Sequence, residues 1–451
     1  MSINKRKKVR LREWMVKALV EAVRWSEKVK PSQHAKREVF RKYRIYERGG
    51  ERLLTALFYD ILKKMGLIDR IIEEGLGLKP IYILDPWLRA ALRVAVEILV
   101  FKQPSPATKR MIRNVIASLI SGKSHPYIGM YYWRIVDKLY SIDPEKVLPR
   151  NDPVYRYMLP RWYIDKIRIL LGDHEAEKLF EALNTSLPIS VRVNILKTTL
   201  LEVIEELTKE VPWVEQSSVV DTILRFPGPY GFDKSRLYRE GYIVIQEEAA
   251  ALASILLSPK PGEVVVDLAA APGGKTEHMA ELMRNKGVIY AFDIDELRIR
   301  RMRDLLKRTG IDIVKIYKQD ARQAPEILGE EIADKVLLDP PCTSDGTIAK
   351  NPDLRWRIRE ENVVVFQRLQ LELLESGWSL LKKGGRLLYC TCSLLREEDE
   401  DVVKMFLEKH SDAKLVPLRK PYDPGFLDGT MRAWPHKHST IGFFYALIEK
   451  R

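Results

Sequence analysis

A chain of 451 residues is too long for one compact core and implies two or three domains, each large enough to fold without staples. Three cysteines in such a chain, with no charged-then-apolar leader, exclude a disulfide framework and point to a reducing, cytoplasmic compartment. Apolar runs stop short of the roughly 18 residues that cross a bilayer, and the formal charge of +14 (76 Lys and Arg against 62 Asp and Glu) suits a phosphate-bearing partner as well as a solvated face.

The charge is uneven. Residues 1–50 hold 16 Lys and Arg against 5 Asp and Glu, so +11 of the +14 lies there. Such a block reads either as a solvated arm or as a phosphate-binding patch, and charge alone does not choose the ligand. The first third of the chain is expected to be helical. In "DPWLRAALRVAVEILVFKQP", Asp85 caps a helix, Pro86 suits its first turn and Gln103-Pro104 stops it. Arg89, Arg93 and Glu97 recur every four positions and are expected to form one wet stripe on an otherwise buried helix. Flanking stretches "GERLLTALFYDILKKM" and "ATKRMIRNVIASLISGK" share this periodicity.

Residues 151–255 mix helical stretches such as "HEAEKLFEAL" with short apolar pieces and are expected to form a small α/β linking module. From about residue 256 the rhythm changes. Short β-branched runs ("EVVVD", "VIYAFD", "IVKIYKQD", "KVLLDPP", "GRLLYCTCS") alternate with helical segments, which predicts an α/β fold with a parallel sheet covered on both faces. "AKLVPL" and "TIGFFYALIEK" read as a final antiparallel pair.

Several of these runs end in an acid: Asp267, Asp293, Asp320 and Asp339. Open α/β sheets bind ligands at the carboxyl ends of their strands, so the acids should line one edge. Between the first strand and its helix lies "AAAPGGK", Ala269, Ala270, Ala271, Pro272, Gly273, Gly274 and Lys275. Its small residues let the backbone approach a ligand, and the helix N-terminus beyond offers free amides; it has the spacing of neither GxGxxG nor GxxxxGK[ST]. Asp293 stands where an acid takes ribose hydroxyls, and Asp320 is placed to accept from an adenine amino group. A ligand with adenosine and a small charged tail but no pyrophosphate fits, and S-adenosylmethionine is such a ligand.

"LLDPPC" and "LLYCTCS" end two strands which, if adjacent, bring Cys342 and Cys392 together beside Asp339. Zinc is an alternative, since His278 or His438 would complete four ligands, yet neither CxxC nor HxxxH spacing accompanies them, and no metal is expected. Cys390 is expected to be a buried structural thiol turned away from Cys392. The positive reading rests on reactivity. Carbon 5 of a pyrimidine takes a methyl group only once a thiolate has added to carbon 6, and Asp339 can hydrogen-bond the ring to favour that addition.

Together, "GYIVIQEEAAALAS", "VVVDLAAAPGGKT", "YAFDIDELRIRRM", "KQDAR", "LLDPPCTSDGT", "NPDLRW", "FQRLQLELLESGW" and "LKKGGRLLYCTCSLLREEDEDVV" resemble the NOL1/NOP2/Sun (Fmu/Sun) family of RNA 5-methylcytosine methyltransferases over residues 155–450. The resemblance implies a Rossmann-like, S-adenosylmethionine-dependent methyltransferase sheet. It implies Cys392 as nucleophile, Cys342 as the residue that aids release, and a cofactor pocket of Ala269 through Lys275 with Asp293, Arg298, Asp320 and Asp339. The chain departs from the family pattern at Ala269, often cysteine, and at Cys390, more commonly serine. "LIDRIIEEG" and "ILDPWLRAALRVAVEILVF" resemble an all-α NusB-like RNA-binding domain, here residues 1–150, followed by the linker module at 151–255 and the catalytic domain at 256–451. That pairing implies 16S ribosomal RNA as substrate, with transfer RNA as the alternative. In "KNPDLRWRIREE", Arg355, Trp356 and Arg357 are placed either for RNA contact or, for Trp356, to anchor the loop. No membrane partner is expected, and monomer is the default. Two rival functions stay open: a silent RNA-binding assembly factor, and methylation of an amino group, for which "DPPC" lacks the usual aromatic.

Overall fold

The computed structural model describes residues 11–29, 32–102, 104–123, 135–139, 141–147 and 149–451. They form two compact units. The first takes the chain up to Leu170 together with Asn351–Arg357; the second comprises Leu171–Lys350 and Ile358–Arg451. Among the described residues no helix is long and apolar enough to cross a membrane.

The first unit is helical: α1 (Glu13–Ser26), α2 (Ser32–Lys42), α3 (Glu51–Leu76), α4 (Pro86–Val96) and α5 (Pro106–Lys123) are its long elements. The apolar stripes of these helices, including Val16, Leu19, Phe58, Ile61, Leu92 and Ile116, close on one core. Asp85 caps α4 as its sequence predicts, its Oδ1 accepting from the amides of Trp87 at 2.9 Å and Leu88 at 3.2 Å. Gln103 and residues 1–10 lie outside the described residues. Among the described residues of the basic block, Lys17 and Arg24 are built into α1 and Lys36, Arg37, Arg41 and Lys42 into α2, where Lys42 pairs with Glu21 at 2.6 Å, so this part is folded helix and not a solvated arm.

The expected wet stripe on α4 is instead dry. Arg89, Arg93 and Glu97 are all buried. Arg89 grips Glu27 of the α1 C-terminus through two bonds (2.7 and 2.5 Å), Arg93 grips Asp69 of α3 through two (2.6 and 2.7 Å) and also reaches Glu27 at 2.6 Å. Lys64 holds Glu97 at 2.8 Å. A period-four polar pattern is the same whether it meets water or opposite charges on neighbouring helices, and here partners distant in sequence let the charges go under.

The segment Asn351–Arg357 settles in this unit. The Trp356 indole donates from Nε1 to the carbonyl of Lys63 at 2.8 Å, and its ring lies on Gly66 of α3, where an added Cβ would come within 2.3 Å of Trp356 Cε3. Ser32 Oγ donates to Asp353 at 2.9 Å, and Arg355 is fully buried, its guanidinium pulled down to about 10 by burial. Of the two roles open to this stretch, anchoring fits Trp356, and Arg355 is withdrawn from phosphate contact. Gly66 in mid-helix costs about 1 kcal/mol relative to alanine, which the indole contact offsets. Trp356→Ala and Gly66→Leu are each expected to destabilise the first unit by about 2–3 kcal/mol, read as a lowered thermal midpoint in calorimetry.

The second unit begins with a four-stranded antiparallel sheet of β1 (Ile189–Val193), β2 (Glu215–Gln216), β3 (Ile223–Phe226) and β4 (Ile243–Ile245), in the order β2-β3-β1-β4. From β4 the chain enters α6 (Glu248–Leu257), whose Ala249, Leu252 and Leu257 pack into the core of the larger sheet.

That larger sheet contains β5 (Val264–Asp267), β6 (Val288–Asp293), β7 (Val314–Lys318), β8 (Ala333–Leu338), β9 (Leu381–Thr391), β10 (Ala413–Val416), β11 (Asp423–Pro424), β12 (Met431–Ala433) and β13 (Phe443–Lys450). Its order is β11-β12-β13-β9-β8-β5-β6-β7, with β10 paired to β13. Strands β7-β6-β5-β8-β9 are parallel, and β10 through β13 join antiparallel, including the expected pairing of Ala413–Val416 with Leu447–Lys450. Helices α7 (Gly274–Leu282), α8 (Glu296–Thr309) and α9 (Glu360–Leu380) connect parallel strands. The chain runs outward from β5 through β6 to β7, then crosses back to β8. The order therefore reverses between β5 and β8, where a Rossmann-like sheet opens a crevice at its carboxyl edge.

Candidate functional site

Every acid singled out in the sequence stands at that edge. Asp267 and Asp293 are the last residues of β5 and β6, Asp339 follows β8 directly, and Asp320 lies just past β7. Their surroundings differ. Asp267 is buried and accepts from Thr276 Oγ1 at 2.7 Å; burial pushes its carboxyl up to about 6. Asp293 takes the Ala271 amide at 3.1 Å on Oδ2 and the Asp295 amide at 2.9 Å on Oδ1. Both oxygens of Asp320 are engaged by Arg322, whose hydrogen bonds hold this carboxyl below its ordinary range.

Residues Ala269 to Gly273 turn from β5 into α7. Gly273 is left-handed, with φ near 100°, and an added Cβ would strike Met302 Cγ at 2.7 Å, so both backbone and space demand glycine. Arg298 braces the turn from α8: one Nη donates to the Ala271 carbonyl and the other lies 3.3 Å from Asp293 Oδ2. Gln246, just past β4, donates to the Gly274 carbonyl at 3.2 Å. α7 starts directly after this loop, so its first-turn amides, which a helix leaves without partners of its own, and the positive end of its dipole follow the carboxyl end of β5.

Lys275 spans from the loop to the neighbouring strand, its Nζ 2.5 Å from Asp339 Oδ2 and 5.2 Å from the Phe443 ring centre. Burial would discharge it, but the Asp339 carboxylate outweighs that, raising its pKa and keeping it an ammonium.

Cys342 and Cys392 leave the adjacent parallel strands β8 and β9, and their sulfurs are 3.6 Å apart. All three cysteines are free. A hydrogen bond shared with Cys392 and then burial raise the Cys342 thiol well above its ordinary range, and the Asp339 carboxylate adds to the shift. Cys342 is thus a protonated thiol at neutral pH. Cys390 is fully buried as expected, but it does not turn away: it joins the same cluster against which Cys392 packs. Residues two apart along a strand share a face, and Cys390 is hidden by depth, not direction.

Sequence reasoning missed the carboxyl that ties the two cysteine segments together. Glu398 accepts from the Thr343 amide at 2.9 Å and from Ser393 Oγ at 2.7 Å. It sits in "LLREEDED", an acidic run that ordinarily reads as a solvated face, so nothing in its spacing marked it. Burial pushes Glu398 up to about 7. Raised carboxyls stabilise the fold fully below their ordinary values of 3.8 (Asp267) and 4.5 (Glu398) and lose that contribution as pH rises through about 6 and about 7. The urea midpoint of the second unit is therefore expected to fall between about pH 4 and about pH 7, and Glu398→Gln to remove the upper part of that fall.

A model of the 16S rRNA methyltransferase RsmB/F family matches residues 254–449, one of its ferredoxin-like domain residues 159–233, and one of the NusB family residues 10–114. The "Probable ribosomal RNA small subunit methyltransferase B" of Synechocystis sp. is 31% identical over 410 residues, 88% of this chain and 91% of that protein. The crystal structure of PH0851 is 55% identical with a TM-score of 0.93, covering 98% of this chain and 100% of that one. NSun6 from Pyrococcus horikoshii, solved with SFG, is 27% identical with a TM-score of 0.60 over 64% of this chain and 98% of its own. The chain belongs to the RsmB/F family of S-adenosylmethionine-dependent 16S ribosomal RNA methyltransferases.

Proposed function

We propose that this protein methylates carbon 5 of a cytosine in small-subunit ribosomal RNA through a covalent Cys392 adduct, acting as a cytoplasmic monomer. The observation that carries the reading is the pair of free sulfurs, 3.6 Å apart on neighbouring strands, beside the Lys275–Asp339 ion pair. Cys392 adds to carbon 6 of the ring, which makes carbon 5 nucleophilic. Cys342, held protonated, does not compete for carbon 6; after methyl transfer a solvent water or hydroxide takes the carbon 5 proton, the carbon 5–carbon 6 double bond re-forms and Cys392 leaves as a thiolate, with the Cys342 thiol 3.6 Å away to hydrogen-bond it. Asp339, oriented by Lys275, accepts from the cytosine amino group or a protonated ring nitrogen. The target base must be single-stranded or flipped out to reach these groups.

The residues present suit S-adenosylmethionine, which when bound supplies an electrophilic methyl group. First-turn amides of α7 and the loop Ala269–Gly274 match an amino-acid carboxylate, Asp293 the ribose hydroxyls and Asp320 the base edge. Arg298 acts on the loop. In this reading residues 1–150 bind RNA, 151–255 link and 256–451 carry the chemistry.

A Cys342→Ala variant incubated with cofactor and total RNA is expected to give a slow-migrating protein–RNA species on a denaturing gel, lost when Cys392 is also replaced. Nucleoside mass spectrometry of RNA treated with wild-type enzyme should show 5-methylcytidine. A methyl group on the amino nitrogen would overturn the carbon 5 reading. No methylation of any RNA would favour an assembly factor.

A further inference from the structure

Cys342 and Cys392 arise 50 residues apart in sequence, yet each is followed by a residue bound to the same side chain. Glu398, in the short turn Arg396–Glu398, is fully buried. Its Oε1 accepts from the Thr343 amide at 2.9 Å, and its Oε2 lies 2.5 Å from Thr343 Oγ1 and 2.7 Å from Ser393 Oγ. Gln370 of α9 secures the arrangement from behind, its Nε2 donating to the Pro341 carbonyl at 3.0 Å and lying 3.4 Å from Glu398 Oε1. Thr343 follows Cys342 and Ser393 follows Cys392, so this one carboxyl ties the backbone beside one sulfur to the side chain beside the other.

We infer that Glu398 is a positioning residue: it clamps the Cys342 and Cys392 segments together and so sets the separation of the two thiols. Its catalytic consequence rests on the covalent reading proposed above.

The clamp requires hydrogen bonds, not a charge. Thr343 Oγ1 has one proton yet lies within bonding distance of Glu398 and, at 3.0 Å, of Asp345 Oδ1. One carboxyl must therefore supply its own proton, and the upward shift of Glu398 toward about 7, caused by burial and then opposed by Ser393 and Thr343, makes it the one. Protonated Glu398 donates to Thr343 Oγ1, which donates to Asp345. The other ionisable groups around it agree: Tyr389 of β9 donates its hydroxyl to the Glu398 carbonyl at 2.5 Å, Cys342 is a protonated thiol, and Asp399 is neutralised by Arg432 at 2.8 Å. Glutamine, with one acceptor and one donor head, reproduces the protonated carboxyl; alanine strands a buried amide and a buried hydroxyl.

The test separates thiol geometry from RNA chemistry. The full chain is oxidised with diamide, which takes two electrons and two protons from the thiols, and the Cys342–Cys392 disulfide is quantified by peptide mass spectrometry. Glu398→Ala is expected to slow that disulfide and to lower kcat for RNA methylation, each by at least about tenfold. S-adenosylmethionine affinity should stay within about twofold, and Glu398→Gln should behave as wild type in both assays. Disulfide formation by Glu398→Ala at the wild-type rate overturns the clamp, whatever the methylation rate. A slowed disulfide with intact methylation keeps the clamp but overturns its catalytic role and, with it, the two-thiol reading. If the alanine variant does not fold, Ser393→Ala and Thr343→Val remove single ties, and the same two rates decide.

Discussion

Replacing Cys392 by alanine is expected to lower the rate of RNA methylation by on the order of 10⁴-fold or more, with S-adenosylmethionine affinity unchanged within about twofold. The reason is chemical. Carbon 5 of an intact cytosine is a poor nucleophile, and positioning cannot replace the electron density that addition at carbon 6 provides. Serine should rescue little, because its hydroxyl is not ionised near neutral pH. Nor can the neighbouring sulfurs substitute. Cys342 emerges from another strand as a protonated thiol, and Cys390 is sealed in the core with its own thiol pushed well up by burial. Cys390→Ala should therefore cost less than about tenfold. Single-turnover transfer of label from the cofactor measures all of these, and a Cys392→Ala enzyme within tenfold of wild type would remove the covalent route.

The edge where this chemistry is proposed was legible because α/β order makes strand ends converge. Asp267, Asp293 and Asp339 each close a β-branched run, and short-range pattern suffices to place them. What lay beyond reach depends on partners distant in sequence. Arg93 looks like any polar residue of an amphipathic helix, and only Glu27 and Asp69, on two other helices, make its burial tolerable. Glu398 shares that opacity. Trp356 carried a faint signal, in that glycine at position 66 interrupts a good helical stretch and a helix accepts that cost where something must approach its backbone. The mistake over Cys390 was of another kind: the period-two rule itself puts it on the Cys392 face.

Arg192→Ala is expected to destabilise the second unit by about 3–5 kcal/mol, because it leaves buried charge without its counter-charge. Arg192, in β1, is fully buried between two carboxylates of α7, donating to Glu277 and lying 2.5 Å from Glu281, while its Nε donates to Gln246 at 2.6 Å. Burial already raises Glu281 well above 4.5, with Arg192 pulling it back and Glu277 pushing it further. A carboxyl raised in the folded state stabilises fully below its ordinary pKa and loses that contribution as pH rises through the folded value. Removing Arg192 lifts that value further, so the variant's deficit in urea unfolding should grow over the range of pH above the ordinary value of 4.5. Gln246 adds a functional consequence. It bonds both Arg192 and the Gly274 carbonyl, so loss of the arginine frees the side chain that braces the α7 N-terminus, and S-adenosylmethionine should bind more weakly even where the variant is folded. Replacing Arg192, Glu277 and Glu281 together by apolar residues of similar volume should recover most of the stability, since a dry ion cluster gains little over well-packed hydrocarbon. A single variant that matched wild-type stability across this pH range would mean that water reaches the two carboxylates, contrary to their burial here.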